Sequence, residues 1–106
     1  MKLPGTIKIA GFDIKVVEWH PMSAQGERAF GEWCSCTMEI RIAPHRPAMC
    51  VLQTFLHEIN HAIFWVYDIT SEDKEERIVD LTATAWAQVY RDNPEIIKWI
   101  ATAIKR

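Results

Sequence analysis

The chain has 106 residues, of which 49% are hydrophobic and 25% are charged. This length predicts a single domain over residues 1–106, and the composition excludes a wholly disordered chain, which would combine low hydrophobicity with a high net charge. The formal net charge is −2. It gives no reason to expect a nucleic-acid partner, because nucleic-acid-binding domains usually carry a basic face.

No apolar run reaches the roughly 18–20 residues that a membrane-spanning helix needs, so we expect no membrane segment. The first residues contain neither the unbroken apolar core nor the small-residue cleavage site of a signal peptide. Three cysteines are an odd number, whereas a secreted domain of this size usually pairs its cysteines in disulfides. These features predict a cytoplasmic protein whose cysteines are free thiols.

Alternation of apolar and polar residues predicts β-strands in the first half of the chain. Residues 6–9 and 12–17 form one predicted pair about a turn at Gly11, and residues 18–27 are typical of a loop. A second pair is predicted over residues 28–34 and from Met38 to Ile42. These strands are expected in one small antiparallel N-terminal sheet of about three or four strands.

Helical spacing begins after Pro47, which suits the first turn of a helix because its missing N–H would be unpaired there. From residue 48 to about residue 67, apolar residues recur every three or four positions and form one stripe: Leu52, Phe55, Leu56, Ile59, Ile63 and Val66. A second helix is expected from the acidic run after Ser71 to about Arg91, and a shorter third helix after Pro94. The predicted class is therefore α+β, with the sheet packed on the helices.

The sequence His57-Glu58-Ile59-Asn60-His61 is an H-E-x-x-H motif on the first predicted helix. Residues four apart lie about 40° apart around a helix, so both histidines project from one face and can bind one metal ion. Glu58 lies beside them, where a carboxylate can act as the general base for a metal-activated water. Because the apolar stripe lies on the opposite side of the helix, we expect the histidines to face an open cleft.

A catalytic zinc ion needs a third protein ligand and one open position. The second predicted helix offers Glu76 and Asp80, which are four residues apart and share a face that continues through Ala83 and Ala87. Small residues on that face would let the second helix approach the first. We therefore predict Glu76 as the third ligand and Asp80 as the acceptor for the outer N–H of a ligand histidine. Glu75 is the alternative third ligand.

The pattern of His57-Glu58-x-x-His61 followed by Glu76-x-x-x-Asp80 resembles the gluzincin metallopeptidases, the thermolysin-like group. The short chain with an N-terminal sheet is most similar to the single-domain minigluzincins and to small H-E-x-x-H proteins of phage and prophage genomes. The resemblance implies a zinc cofactor and hydrolysis of peptide bonds. It also implies His57, His61 and Glu76 as metal ligands, Glu58 as general base, and Asp80 as the residue that supports a ligand histidine.

The resemblance further implies that an extended substrate pairs with a sheet edge, here the strand from Met38 to Ile42. Thermolysin-like proteases have a second lobe that supplies the other cleft wall and the residues that stabilise the oxyanion, but only about thirty residues follow Glu76. An oxyanion donor must then come from elsewhere, and the candidates are His20, His45, Tyr67, Tyr90 and Arg91. The tail from Trp99 to Arg106 is expected to be an ordinary packed helix, with self-inhibition of the cleft as the alternative.

The leading prediction is an enzyme, a zinc metallopeptidase that hydrolyses a peptide or protein substrate with Glu58 as base. The alternative is a catalytically weak or inactive gluzincin-like module that binds a protein partner, as in a phage–host interaction. Five tryptophans favour this alternative, because they are more than a core of this size hides. The intact Glu58 favours the enzyme, because a structural zinc site does not need it. The sequence predicts neither the substrate nor the oligomeric state.

Overall fold

The computed structural model describes residues 3–19 and 30–105. Four strands and three helices follow one another in this part of the chain: β1 (Thr6–Ile9), β2 (Phe12–Glu18), β3 (Gly31–Cys34), β4 (Glu39–Ile42), α1 (Ala48–Val66), α2 (Glu75–Asp92) and α3 (Pro94–Ile104). The α+β class is confirmed, and the four strands agree with the predicted three or four. Most of the loop predicted over residues 18–27, and the first residues of the strand predicted over residues 28–34, lie outside the described residues.

β1 and β2 form an antiparallel hairpin that is closed by the pair Ile9 and Phe12. The two residues between them, Ala10 and Gly11, have positive φ angles of 49° and 88°, as in the two-residue turns that match the twist of a hairpin. Gly11 adopts this conformation without steric cost, which explains why the turn falls at the predicted glycine.

The strand order in the sheet is β1-β2-β4-β3, so β4 is an inner strand and the prediction that the strand from Met38 to Ile42 forms an edge is wrong. β4 is antiparallel to β3 but parallel to β2, which makes the sheet mixed rather than wholly antiparallel. Both sides of β4 are occupied: Trp19 N–H donates to the Ile42 carbonyl on the β2 side, and Ala43 N–H donates to the Phe30 carbonyl on the β3 side, each at 2.9 Å. Alternation predicts which residues face the core but carries no information on strand order.

α1 packs across one face of the sheet and completes the core. Its residues Phe55, Ile59 and Ile63 are fully buried, and they meet fully or almost fully buried isoleucines of the strands: Ile7, Ile9, Ile14, Ile40 and Ile42. The predicted apolar stripe is therefore confirmed, with Leu56 and Val66 half-buried at its margins. The opposite face of α1 stays outside the core and carries the two histidines of the motif.

α3 packs onto α1 through its buried residues Ile96, Trp99 and Ala103. The Trp99 ring meets Phe55 edge-on, with centroids 5.2 Å apart. The described part of the tail is thus an ordinary packed helix, as predicted. All three cysteines are free thiols. Within residues 3–19 and 30–105, no helix has both the length and the apolar character needed to cross a membrane.

Candidate metal centre

α1 brings His57 and His61 together on its exposed face. Their Nε2 atoms lie 3.1 Å apart, and their rings meet at 73° with centroids 4.8 Å apart. A tetrahedral zinc ion with Zn–N distances of about 2.0–2.1 Å holds two ligand nitrogens about 3.3 Å apart. The histidines therefore fit the metal-binding role that their spacing predicts, because their Nε2 atoms already converge.

Glu58 lies between the histidine pair and β3 and, unlike the histidines, is buried, with 6% of its surface exposed. The backbone N–H of Trp33 lies near enough to the Glu58 carboxylate to lower the pKa of that group. Burial raises the pKa of the Glu58 carboxyl above its usual range; the nearby His57 and His61 rings lower this pKa in part, and Glu32 raises it further. A carboxyl with a raised pKa is suited to accept a proton and return it.

β3 approaches α1 closely at Gly31. A Cβ atom at this position would stand 2.5 Å from Thr54 Cγ2, 3.1 Å from Glu58 Cγ and 3.2 Å from the Arg41 carbonyl oxygen. Glycine is needed here because only a residue without a side chain lets the strand backbone come this close to the Glu58 side chain.

Gly31→Ala should destabilise the domain by about 1–3 kcal/mol, because the added methyl group overpacks the contact between β3 and α1. Urea unfolding followed by circular dichroism measures the loss. Gly5→Ala is the matched control, since a Cβ atom at Gly5 meets nothing within 4 Å, and it should change stability by less than about 0.5 kcal/mol. Equal effects of the two substitutions would show that β3 does not press on α1 at Gly31.

Two open cavities flank the histidine pair. The β3-side cavity has a volume of about 680 Å³ and is lined by Phe30, Gly31, Gln53, Thr54, Leu56, His57, Glu58 and Asn60. The α2-side cavity has a volume of about 460 Å³ and is lined by His57, Asn60, His61, Phe64, Thr82 and Trp86. Because His57 and Asn60 line both cavities, the two form one cleft across the exposed face of α1.

Glu76 and Asp80 do not join the histidines in this structure. Both side chains are exposed, and neither lines the cleft. Among the residues that the structure describes, no group of three His, Cys, Asp or Glu side chains is placed to hold a metal ion. The role of Glu76 as third ligand and that of Asp80 behind a ligand histidine therefore stay predictions.

α2 turns a different face toward the cleft from the predicted one. Thr82 and Trp86 line the cleft. Ala83 and Ala87 are exposed, so the expectation that these small residues bring α2 against α1 is wrong. At about 100° per residue, Glu75 falls about 20° from Thr82 around α2, whereas Glu76 falls about 120° away. The buried residues of α2, Ala85 and Val89, lie within about 60° of Thr82 around the helix, and their core contacts set this rotation.

None of the described candidates for an oxyanion donor lines the cleft. The Tyr67 hydroxyl donates to Gln88 Oε1 at 2.8 Å, and the Tyr90 ring packs on Trp86 with centroids 5.5 Å apart. Arg91 and His45 are exposed elsewhere, and His20 lies outside the described residues.

The cleft also contains two residues, Asn60 and Trp86, that we did not predict from the sequence. Trp86 Nε1–H donates to Asn60 Oδ1 at 2.9 Å, and both residues line the α2-side cavity. Asn60 occupies one of the two x positions of H-E-x-x-H, so the motif itself gives no signal for it. Its helical position, three residues after His57 and one before His61, is the signal that places it beside the histidine pair.

Comparison of this chain with known proteins returns no match. No protein-family model matches the sequence. Neither a curated protein nor a solved structure is significantly similar to it. The interpretation of function therefore depends on the motif and on the geometry of the cleft.

Proposed function

We propose that this protein is a zinc-dependent metallopeptidase of the minigluzincin type that hydrolyses peptide bonds. The observation that carries the proposal is the convergence of the His57 and His61 Nε2 atoms, 3.1 Å apart, beside the buried carboxylate of Glu58. Burying a carboxylate costs free energy. The two imidazoles offset this cost only in part, so we infer a catalytic use for Glu58 beside them.

His57 and His61 are the residues that would hold the ion, and zinc supplies Lewis-acid activation of a carbonyl and a nucleophilic water at neutral pH. Glu58 takes the proton from the attacking water and delivers it to the amine that leaves when the peptide C–N bond breaks. The backbone N–H of Trp33 lies near the Glu58 carboxylate and favours its charged form, which is the form that takes the proton. Burial of Glu58 also keeps the proton away from bulk water between the two steps.

β3 takes the place of β4 as the strand that pairs with an extended substrate, because β3 is the edge strand beside the cleft in the described sheet. In an antiparallel pair, alternate residues direct their backbone groups to the partner strand, as Phe30 does toward Ala43. The backbone groups of Gly31 and Trp33 consequently point to the open edge. Within the described part of the chain, these edge groups of Gly31 and Trp33 are the ones that a substrate strand would meet.

The proposed activity is tested by incubating the zinc-supplemented protein with a mixture of peptides and identifying new termini by mass spectrometry. We expect cleavage that the chelator phenanthroline abolishes and that added zinc restores. Protein that binds zinc but cleaves no peptide would contradict the proposal, as would cleavage that survives the chelator.

The motif and the fold give different answers for a third ligand from α2. The E-x-x-x-D pattern favours Glu76, whereas the face that α2 turns to the cleft contains Glu75, two helical turns before Thr82. We expect one of Glu75→Ala and Glu76→Ala to weaken zinc affinity at least about tenfold and the other less than about threefold. Competition with a chromogenic chelator measures both affinities. The larger loss identifies the ligand, and two small losses would contradict a third ligand at either residue.

One observation favours the alternative function, a protein-binding module. Trp65 is 48% exposed and Phe12 is 45% exposed. Their rings pack edge-on with centroids 6.1 Å apart, and the Trp33 ring also packs against Trp65, with centroids 5.9 Å apart. Exposed aromatic clusters are typical of protein-contact surfaces. The two functions differ at Glu58, because a binding module keeps its partner affinity when Glu58 is replaced, whereas a peptidase loses turnover.

A further inference from the structure

We propose that Asn60 is the hydrogen-bond donor that stabilises the scissile carbonyl oxygen as it gains negative charge. This inference rests on the proposed peptidase function and adds a residue that is neither a metal ligand nor the general base. Attack of water on a peptide carbonyl moves charge onto the oxygen, and a fixed donor aimed at that oxygen lowers the barrier. Asn60 donates a hydrogen bond only and transfers no proton.

The Trp86 indole fixes the orientation of the Asn60 amide. An indole N–H is only a donor, so the Asn60 atom that lies 2.9 Å from Trp86 Nε1 is the amide oxygen. The NH2 group occupies the other branch of the planar amide, and its hydrogens point away from Trp86. In the described part of the chain this NH2 group has no acceptor, so both of its N–H groups are left for a ligand in the cleft.

Asn60 and Glu58 lie on opposite flanks of the histidine pair. Counted from His57 at about 100° per residue, His61 lies at about 40° around α1, Glu58 at about 100° and Asn60 at about −60°. The attacking water and the carbonyl oxygen occupy different sides of the carbon under attack. A base on one flank and an oxyanion donor on the other is therefore the arrangement that hydrolysis needs.

Among the described residues of the α2-side cavity, no other side chain apart from the histidines offers a free donor. The Thr82 hydroxyl donates to the Ile78 carbonyl at 2.7 Å, and the Trp86 N–H is engaged by Asn60. Because its oxygen is held, the Asn60 amide loses little further rotamer freedom when it binds a substrate. Asn60 also lines both cavities, so a peptide that crosses the cleft from β3 toward α2 passes this amide.

Asn60→Ala is the first test, measured on zinc-loaded protein with a peptide that the wild type cleaves. We expect kcat to fall about 100-fold, because the donor acts when charge develops on the oxygen. KM and zinc affinity should stay within about threefold of wild type. A rise in KM at unchanged kcat, or no change in either constant, would overturn the inference.

Trp86→Phe tests whether the indole orients the amide. It removes the N–H but keeps an aromatic ring against Tyr90, and it should lower kcat about tenfold with no further loss when combined with Asn60→Ala. Tyr67→Phe is the matched control, because it removes a similar hydrogen bond onto α2, that to Gln88, away from the cleft. Equal losses in Trp86→Phe and Tyr67→Phe would mean weakened helix docking and would overturn the orienting role.

Acetohydroxamate binding gives a readout that does not depend on turnover, since its carbonyl oxygen, which shares the negative charge of the hydroxamate, stands in for the oxygen of the reacting carbonyl. We expect zinc-loaded Asn60→Ala to bind acetohydroxamate about tenfold more weakly than wild type. The Asn60 side-chain signals in a proton–nitrogen correlation NMR spectrum should shift when acetohydroxamate is added. Equal affinities would overturn the role of Asn60 even in an active peptidase. The expected loss of affinity in a protein that cleaves nothing would overturn the peptidase proposal alone, and a chain that binds no zinc would overturn both.

Discussion

Glu58→Gln should lower peptide hydrolysis by about 10²–10⁴-fold while zinc affinity stays within a few-fold of wild type. Glutamine has nearly the same size and keeps an oxygen that can accept the Trp33 N–H, but it has no basic oxygen to take a proton from water. Because Glu58 is not one of the proposed ligands, the ion should remain. Initial rates with a cleaved peptide, together with a zinc titration of both proteins, measure the two effects.

Glu32→Gln is the matched control for Glu58→Gln. Glu32 lies on β3 close enough to affect the pKa of Glu58, but its carboxylate pairs with Arg41 at 3.3 Å and lines neither cavity. We expect this variant to keep its rate within about threefold. Equal losses in the two variants would point to a general charge effect rather than proton transfer. Full turnover in Glu58→Gln would exclude Glu58 as the base.

Asn93→Ala should cost about 2–4 kcal/mol of folding free energy, the largest loss of stability that we predict. Asn93 is 3% exposed and joins the helices to β1. Its Oδ1 accepts the Lys8 N–H at 2.8 Å, and its NH2 group donates to the Lys8 and Val89 carbonyls at 2.7 and 2.8 Å. Alanine removes all three bonds and leaves both backbone groups of Lys8 without these partners in a partly buried position.

Urea unfolding of wild type and variants measures this loss. Asn93→Asp at neutral pH should cost at least as much, because a carboxylate has no N–H to offer the two carbonyls. Asp92→Asn is the control at the neighbouring position. Asp92 is exposed, and among the described contacts it pairs only with Arg91, at 3.2 Å. The loss of folding free energy in this variant should therefore stay below about 0.5 kcal/mol. If the unfolding free energy of Asn93→Ala were within about 1 kcal/mol of the wild-type value, Asn93 would not connect the helices to β1.

The position of the histidines could be predicted from the sequence because it depends on local geometry. A spacing of four residues, on a helix whose apolar stripe lies opposite, is enough to place His57 and His61 together on an exposed face, and the structure confirms that placement. The turn at Gly11 and the start of the helix after Pro47 also depend only on residues a few positions away in the chain.

Strand order and helix rotation depend on residues far apart in the chain, and for that reason they could not be predicted. β4 is an inner strand because β2 pairs with it in parallel, and the alternation between Met38 and Ile42 is the same for an inner strand as for an edge strand. Likewise, α2 offers small residues on two faces. Burial of Ala85 and Val89 selects the rotation that carries Glu76 away from the cleft.

Metal analysis of the purified protein tests most directly the central claim that His57 and His61 hold zinc. After loading with zinc and removal of unbound ions by gel filtration, elemental mass spectrometry should find about one zinc per chain in wild type and in the control His45→Ala. The double variant His57→Ala/His61→Ala should retain less than about a tenth of that amount. Wild-type protein without zinc, or a double variant that keeps it, would contradict the claim.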